Sequence, residues 1–305
     1  MTASKSAMST GMRMDTIGGD IRTLLGEGPV WDVESQRLFW IDSLGCRVYS
    51  ATEHGAEVRT WEVPGPIGSL AVRADGSGAI IALEKGFHHL DFASGDVDLI
   101  VDPEPGLPQN RLNDGKVDAR GRFVVGSMNM LEDGPTGSIF VLDTDFSHRM
   151  LDTGITVSNG PCWSNDGKTF YFTDSWSGSI SAYDYDADTA AITNKRQFAS
   201  VDTSGGGASD GSTVDSQGYL WNALVYDGKI VRYSPEGTVD RIIDMPVKKV
   251  TSVMFGGPNL DKLFVTSMSR PPLPHLPQDS SPDAGTVFVL TGLGVTGVPE
   301  RRFGV

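Results

Sequence analysis

One short pattern recurs six times along this chain: a corner rich in Gly, Asp or Asn, followed at once by an aromatic or aliphatic strand. It reads DVESQRLFWID (Asp32–Asp42), RADGSGAIIAL (Arg73–Leu83), DARGRFVVGSM (Asp118–Met128), SNDGKTFYFTD (Ser164–Asp174), DSQGYLWNAL (Asp215–Leu224) and GPNLDKLFVTSM (Gly257–Met268). The starts lie roughly 40 to 50 residues apart, the length of one four-stranded propeller blade. Helical periodicity is almost absent. Several units add a glycine-led strand, such as GSIFVLD (Gly137–Asp143) or GSISAYDYD (Gly178–Asp186), which reads as the partner across a hairpin. A ring of such units buries each blade against its neighbours and leaves few open sheet edges.

The sequence therefore predicts an all-β fold, a six-bladed β-propeller of four-stranded antiparallel blades. The stretch TIGGDIRTLL (Thr16–Leu25) reads as an N-terminal strand that completes the last blade and closes the ring. A pair of β-sandwiches competes with this, but no linker splits the chain. The Pro-rich stretch Ser269–Gly285 falls inside the last unit and reads as a surface loop. The expected organisation is a mobile tail over residues 1–18, then one propeller domain over residues 19–305.

Composition narrows the partners. The 305 residues are 39% hydrophobic, enough for a packed core, and carry a formal net charge of −14. A surface of that sign repels phosphate backbones and anionic membranes, so neither nucleic acid nor membrane is an expected partner. Cys46 and Cys162 fit no metal spacing, and nothing requires an oxidising compartment. The first residues lack the apolar segment of a secretory signal, and no apolar run approaches the roughly 18 residues of a spanning helix. The expectation is a soluble, cytoplasmic protein. Oligomeric state leaves no signal in these residues.

Polar groups stand at equivalent places ahead of four corners. GEGPVW offers Glu27, QNRLNDGK offers Arg111, Asn113 and Asp114, VSNGPCW offers Asn159, and GGASDGSTVD offers Asp210. Glu27, Asn159 and Asp210 share one phase of the repeat, so a ring should aim them inward together. Two carboxylates and one amide oxygen make a hard-oxygen set suited to Ca²⁺, Mg²⁺ or Mn²⁺, and Zn²⁺ also accepts carboxylates. Three protein ligands leave positions open for water and substrate. Each residue taken singly is an ordinary turn former; it is the shared phase that points to a cation.

These stretches resemble the SMP-30/gluconolactonase/luciferin-regenerating (regucalcin-like) family. The matching runs are GEGPVW, IGSLAVRADG, RLNDGKVDARGRFVVGSM, VSNGPCWSNDGKTFYFTDS, SDGSTVDSQGYLWNAL and VTSVMFGGPNLDKLFVTS, in order from Gly26 to about Thr291. The resemblance implies a propeller with one divalent cation in its channel, commonly Ca²⁺ or Zn²⁺ with Mn²⁺ or Mg²⁺ in exchange. It implies hydrolysis of sugar-acid lactones as the activity. It makes Glu27, Asn159 and Asp210 the metal ligands, and Arg111 and Asn113 the groups that hold substrate oxygens. Many of the sugar lactonases carry an acidic residue just after the G-[ST]-M run. Here Asn129 stands there as the substrate-binding candidate, and Glu132 arrives only after Met130 and Leu131. That departure suits either a less hydroxylated lactone or a loop shifted by a residue.

A lactone is a cyclic ester, so its hydrolysis needs an activated water, an activated carbonyl and stabilisation of the developing oxyanion. Asp210 is the candidate base, and Arg111 can grip ring or exocyclic oxygens with its fork of donors. No G-x-S-x-G elbow is present, so no serine nucleophile is implied. The alternatives are another ester, lactam or phosphotriester hydrolase on the same metal platform, or a non-enzymatic Ca²⁺-binding regulatory propeller. His88 and His89 are adjacent on a strand and face opposite sides, so both cannot reach one site. Trp31, Trp163 and Trp221 read as packing between blades. Thr251 and Ser252 read as outer donors near the cation site.

Overall fold

The structure, a computed structural model, describes residues 11–304. Their 24 strands form six four-stranded antiparallel sheets, the predicted propeller. In chain order the blades are I (26–62), II (67–101), III (110–155), IV (158–200), V (208–244) and VI (250–291, with 13–17). Each blade begins with its innermost strand and runs outward by hairpins.

The closing strand lies earlier than expected. It is Arg13–Ile17, which pairs antiparallel with Val287–Thr291, Arg13 opposite Thr291 and Ile17 opposite Val287. Gly18 and Gly19 then adopt positive φ and end it. The expected tail over residues 1–18 is thus corrected at its C-terminal end, and residues 1–10 lie outside those described. The remainder of the TIGGDIRTLL stretch stitches blade VI to blade I: Thr23 N–H donates to Gly285 O at 2.9 Å, and Leu25 bridges Met268.

The core is distributed. Six apolar clusters fill the six contacts between neighbouring blades. Trp31, Leu38 and Trp40 of blade I meet Phe264 and Val287 of blade VI, with Ile17 of the closing strand added. Trp221 packs between blades V and VI, and Trp163 between III and IV. Every blade is held by its two neighbours, so stability depends on a closed circle.

The recurring corner has a physical reason. Asp118 accepts the backbone N–H groups of Arg120 and Arg122, both at 2.9 Å, together with Arg122 Nε at 2.7 Å and the Tyr185 hydroxyl at 2.6 Å. Asp215 does the same for Gln217 N, Tyr219 N, Trp221 Nε1 and Arg232 Nε. These buried aspartates satisfy the turn's donors and anchor the next strand. So the second half of RLNDGKVDARGRF builds the fold.

A feature not read from the sequence closes the corner end of the channel. Residues 292–304 cross it as a strap touching five blades. Leu293 joins the cluster between blades V and VI, and Ser216 N–H donates to Thr296 O at 2.8 Å. Glu300 faces Lys116 at 3.4 Å. Arg302 forks onto Asp32, with Nε to Oδ1 at 2.8 Å and Nη2 to Oδ2 at 2.6 Å, in a largely buried pair. Phe303 exchanges backbone hydrogen bonds with Val72 and Ala74 and is only 4% exposed. Phe303→Ala should therefore cost about 3 kcal/mol in chemical denaturation. Val239→Ala, at an outer edge position 54% exposed, should stay within about 0.5 kcal/mol. Equal effects of the two would show that the strap only drapes the surface.

Candidate active site

Six positions share one step of the repeat, each five residues ahead of its corner: Glu27 before Asp32, Gly68 before Arg73, Asn113 before Asp118, Asn159 before Ser164, Asp210 before Asp215 and Ser252 before Gly257. Each taken singly is a turn former, yet Glu27, Asn113, Asn159 and Asp210 lie on innermost strands. They lie at or beside a break in register: Glu27/Val30, Leu112/Gly115, Asn159/Cys162 and Ser209/Ser212. A bulge bends the strand and re-aims its side chains. At Gly160 the backbone takes φ +61°, and a Cβ would meet Ser212 Oγ at 2.7 Å, so only glycine fits.

This geometry brings Glu27, Arg111, Asn113, Asn159 and Asp210 together in one open cavity at the end away from the strap. Asn113 Nδ2 donates to Asn159 Oδ1 at 3.1 Å and to Ser158 O at 2.8 Å. Asn159 Nδ2 donates to Ser175 Oγ at 2.9 Å, and its amide oxygen, which accepts from Asn113, keeps a second lone pair. Arg111 Nη1 donates to Asn113 Oδ1 at 2.5 Å. Asp114, one step later, is turned to the other layer. Its carboxylate takes Gly115 N–H at 2.8 Å and Gly160 N–H at 2.9 Å, stapling blade III to blade IV.

The electrostatics ask for a cation. Glu27 and Asp210 are both buried. Burial first, then the neighbouring carboxylates (Asp114 for Glu27, Glu27 for Asp210), raises both well above the ordinary carboxylate range. Asp210 Oδ1 is buried without any hydrogen-bond partner. Three carboxylates line the cavity, Glu27, Glu132 and Asp210, against one guanidinium, Arg111. That leaves a formal charge of −2, which one divalent ion would balance. Among the described residues no three His, Cys, Asp or Glu gather as a metal cluster; the set here is two carboxylates and an amide oxygen. The orphaned oxygen and the donor chemistry fit a hard divalent cation.

Asn129 is not brought to this cavity. Its Oδ1 accepts Leu131 N–H at 2.8 Å, so the side chain shapes its own turn. The turn instead delivers Glu132, at φ +56°, to the wall. The acidic residue is present, displaced along the loop. Two further wall residues escaped the sequence reading: Trp176, just past the end of a blade IV strand, and Tyr226, just past one in blade V. The signal that could have found them is position, since both follow the second strand at the cavity end. His88 and His89 do not line the cavity; His88 Nδ1 lies 3.1 Å from Gly86 O and His89 packs on Phe146. Thr251 Oγ1 donates to Gly26 O at 2.5 Å, tying blade VI to the backbone beside Glu27, and Ser252 faces the opposite layer of the channel.

The raised carboxyls carry a sign for stability. Each binds its proton more tightly folded than unfolded, so without a cation their contribution is full below about pH 4 and fades as pH rises. In chelator, the melting temperature should therefore fall between about pH 5.5 and pH 8.5, and Asp210→Asn should flatten that fall. Millimolar Mn²⁺ or Ca²⁺ should raise it more at the higher pH. A melting temperature indifferent to added cation would contradict the site.

Comparison with known proteins shows the family and the fold. Residues 25–269 match the family model described as SMP-30/Gluconolactonase/LRE-like region. Regucalcin of Gallus gallus is 35% identical over 302 residues, covering 96% of this chain and 98% of that protein. The solved structure of a luciferin-regenerating enzyme superposes with a TM-score of 0.91 at 32% identity, covering 97% of this chain and 100% of the other. A calcium-binding protein, regucalcin, from Agrobacterium tumefaciens superposes with a TM-score of 0.86 at 28% identity, covering 95% and 97%. By sequence and by fold, this chain belongs to the SMP-30/gluconolactonase/LRE-like family.

Proposed function

We propose that this protein is a metal-dependent hydrolase that opens the ring of a lactone, with the cation held by Glu27, Asn159 and Asp210. The observation that carries the reading is the buried, unpartnered Oδ1 of Asp210 beside the Glu27 carboxylate in an open cavity. Ca²⁺ or Zn²⁺ is the ion we infer, with Mn²⁺ or Mg²⁺ able to replace it, because oxygen donors discriminate weakly among divalent ions. The Agrobacterium relative is described as calcium-binding. The family description makes sugar-acid lactones the first substrate class to test. A cytoplasmic setting belongs to the same proposal; no helix of the described residues is long and apolar enough to cross a membrane.

When bound, the cation supplies polarisation of the lactone carbonyl and a counter-charge for the oxyanion. Asp210 accepts the proton of the water whose oxygen attacks the carbonyl carbon. The ring C–O bond then breaks, and the departing ring oxygen takes a proton, giving a hydroxy acid. Arg111 orients the ester through the donors that its bond to Asn113 leaves free. Asn113 holds Asn159 in place, so its own loss would loosen the cation as well as the substrate.

In cation-loaded protein, Asp210→Asn should lower lactone turnover by at least about a hundredfold while circular dichroism stays unchanged. Arg111→Ala should mainly raise KM, since it removes substrate binding rather than the cation. Near-normal turnover by Asp210→Asn would sink the assignment. Tight calcium binding with no lactone hydrolysed would favour the regulatory calcium-binding reading that the regucalcin relatives suggest.

A further inference from the structure

Beside the cation ligands the same cavity is lined by a built aromatic surface. The Trp176 indole stacks on the Tyr226 ring, 6.1 Å between centroids and 8° between planes. The indole N–H donates to Glu132 Oε2 at 2.8 Å. Met128, Val157, Met268 and Pro272 extend the same lining, and Leu131, on the same loop as Glu132, is 62% exposed.

This surface is held in place at some expense of backbone comfort. Glu132 and Tyr226 both adopt left-handed backbone, at φ +56° and +68°, which is uncommon for a bulky residue. Trp176 sits on the single turn Ser175–Ser177, closed by Gly178 at φ +68°. The Asp174 carboxylate ties that turn down by accepting Thr156 and Val157 N–H groups, both at 3.0 Å. Ser175, the residue before the tryptophan, orients the Asn159 amide. One turn thus fixes both a cation ligand and the wall.

The indole face, the two methionines and Pro272 offer a hydroxyl no partner, and the polar groups of this wall are confined to Glu132 and the Tyr226 hydroxyl. The indole N–H is already taken by Glu132, and that carboxylate has one oxygen engaged in return. Arg111 is partly engaged with Leu112 O and Asn113. A hydroxyl set against the indole face, the methionines or Pro272 finds no partner there, and each left unpartnered weakens binding by about tenfold. An apolar group would meet matching surface.

Resting on the hydrolase reading above, we propose that the Trp176–Tyr226 wall selects lactones whose ring carries an apolar substituent, an alkyl chain or a fused aryl ring, over polyhydroxylated sugar lactones. This departs from the sugar-acid class that the family resemblance implies.

The test compares kcat/KM of the Mn²⁺-loaded protein on δ-gluconolactone, δ-valerolactone, δ-decalactone and dihydrocoumarin, for the native chain, Trp176→Ala and Trp176→Phe. The native protein should prefer δ-decalactone over δ-gluconolactone by at least about tenfold. Trp176→Ala should lower the decalactone-to-valerolactone ratio by about tenfold, and Trp176→Phe, which keeps a ring but loses the N–H, should leave that ratio within about threefold. A preference for δ-gluconolactone, or an unchanged ratio in a folded Trp176→Ala protein, overturns the proposal and leaves the hydrolase reading standing. No turnover of any of the four overturns both.

Discussion

Closure of the ring is the constraint on which everything else depends. No blade has a core of its own; the main apolar clusters lie between blades. The circle is sealed at its rim by Arg13–Ile17 and tied across its floor by residues 292–304. A sheet edge left open would expose both backbone donors and apolar faces. Once the circle is closed, residues at one step of the repeat face one axis, however far apart they lie in sequence.

That convergence has an electrostatic consequence. A rigid ring forces two buried carboxylates, Glu27 and Asp210, into one cavity and leaves Asp210 Oδ1 without a partner. Such an arrangement is unfavourable for the protein alone. It makes sense where a cation is the missing partner, and where the packed circumference supplies enough stability to hold it. The two ends of the channel then divide the labour. The corner end is filled by the strap, the buried Arg302–Asp32 fork and Lys116 beside Glu300, while the other end stays open and gathers Glu27, Asn159 and Asp210.

The fold was legible because its signals are local and repeated: a corner aspartate that satisfies its own turn, then a strand. The in-phase residues Glu27, Asn159 and Asp210 were legible because a ring converts equal spacing into proximity. What sequence hid depends on geometry without a period. The strap carries no strand alternation and reads as a trailing segment. Trp176 and Tyr226 come from turns beyond the strands, and Glu132 reaches the wall only because Asn129 caps its own loop. The closing strand was placed too late because RMDTI is short and only Ile17 in it is fully buried.

Anomalous diffraction from crystals grown with Mn²⁺ tests the central claim most directly. One strong peak within about 2.0 to 2.6 Å of oxygens from Glu27, Asn159 and Asp210 together is the expected result. A peak held by other residues, or none in the channel, would contradict the cation site and the chemistry built on it.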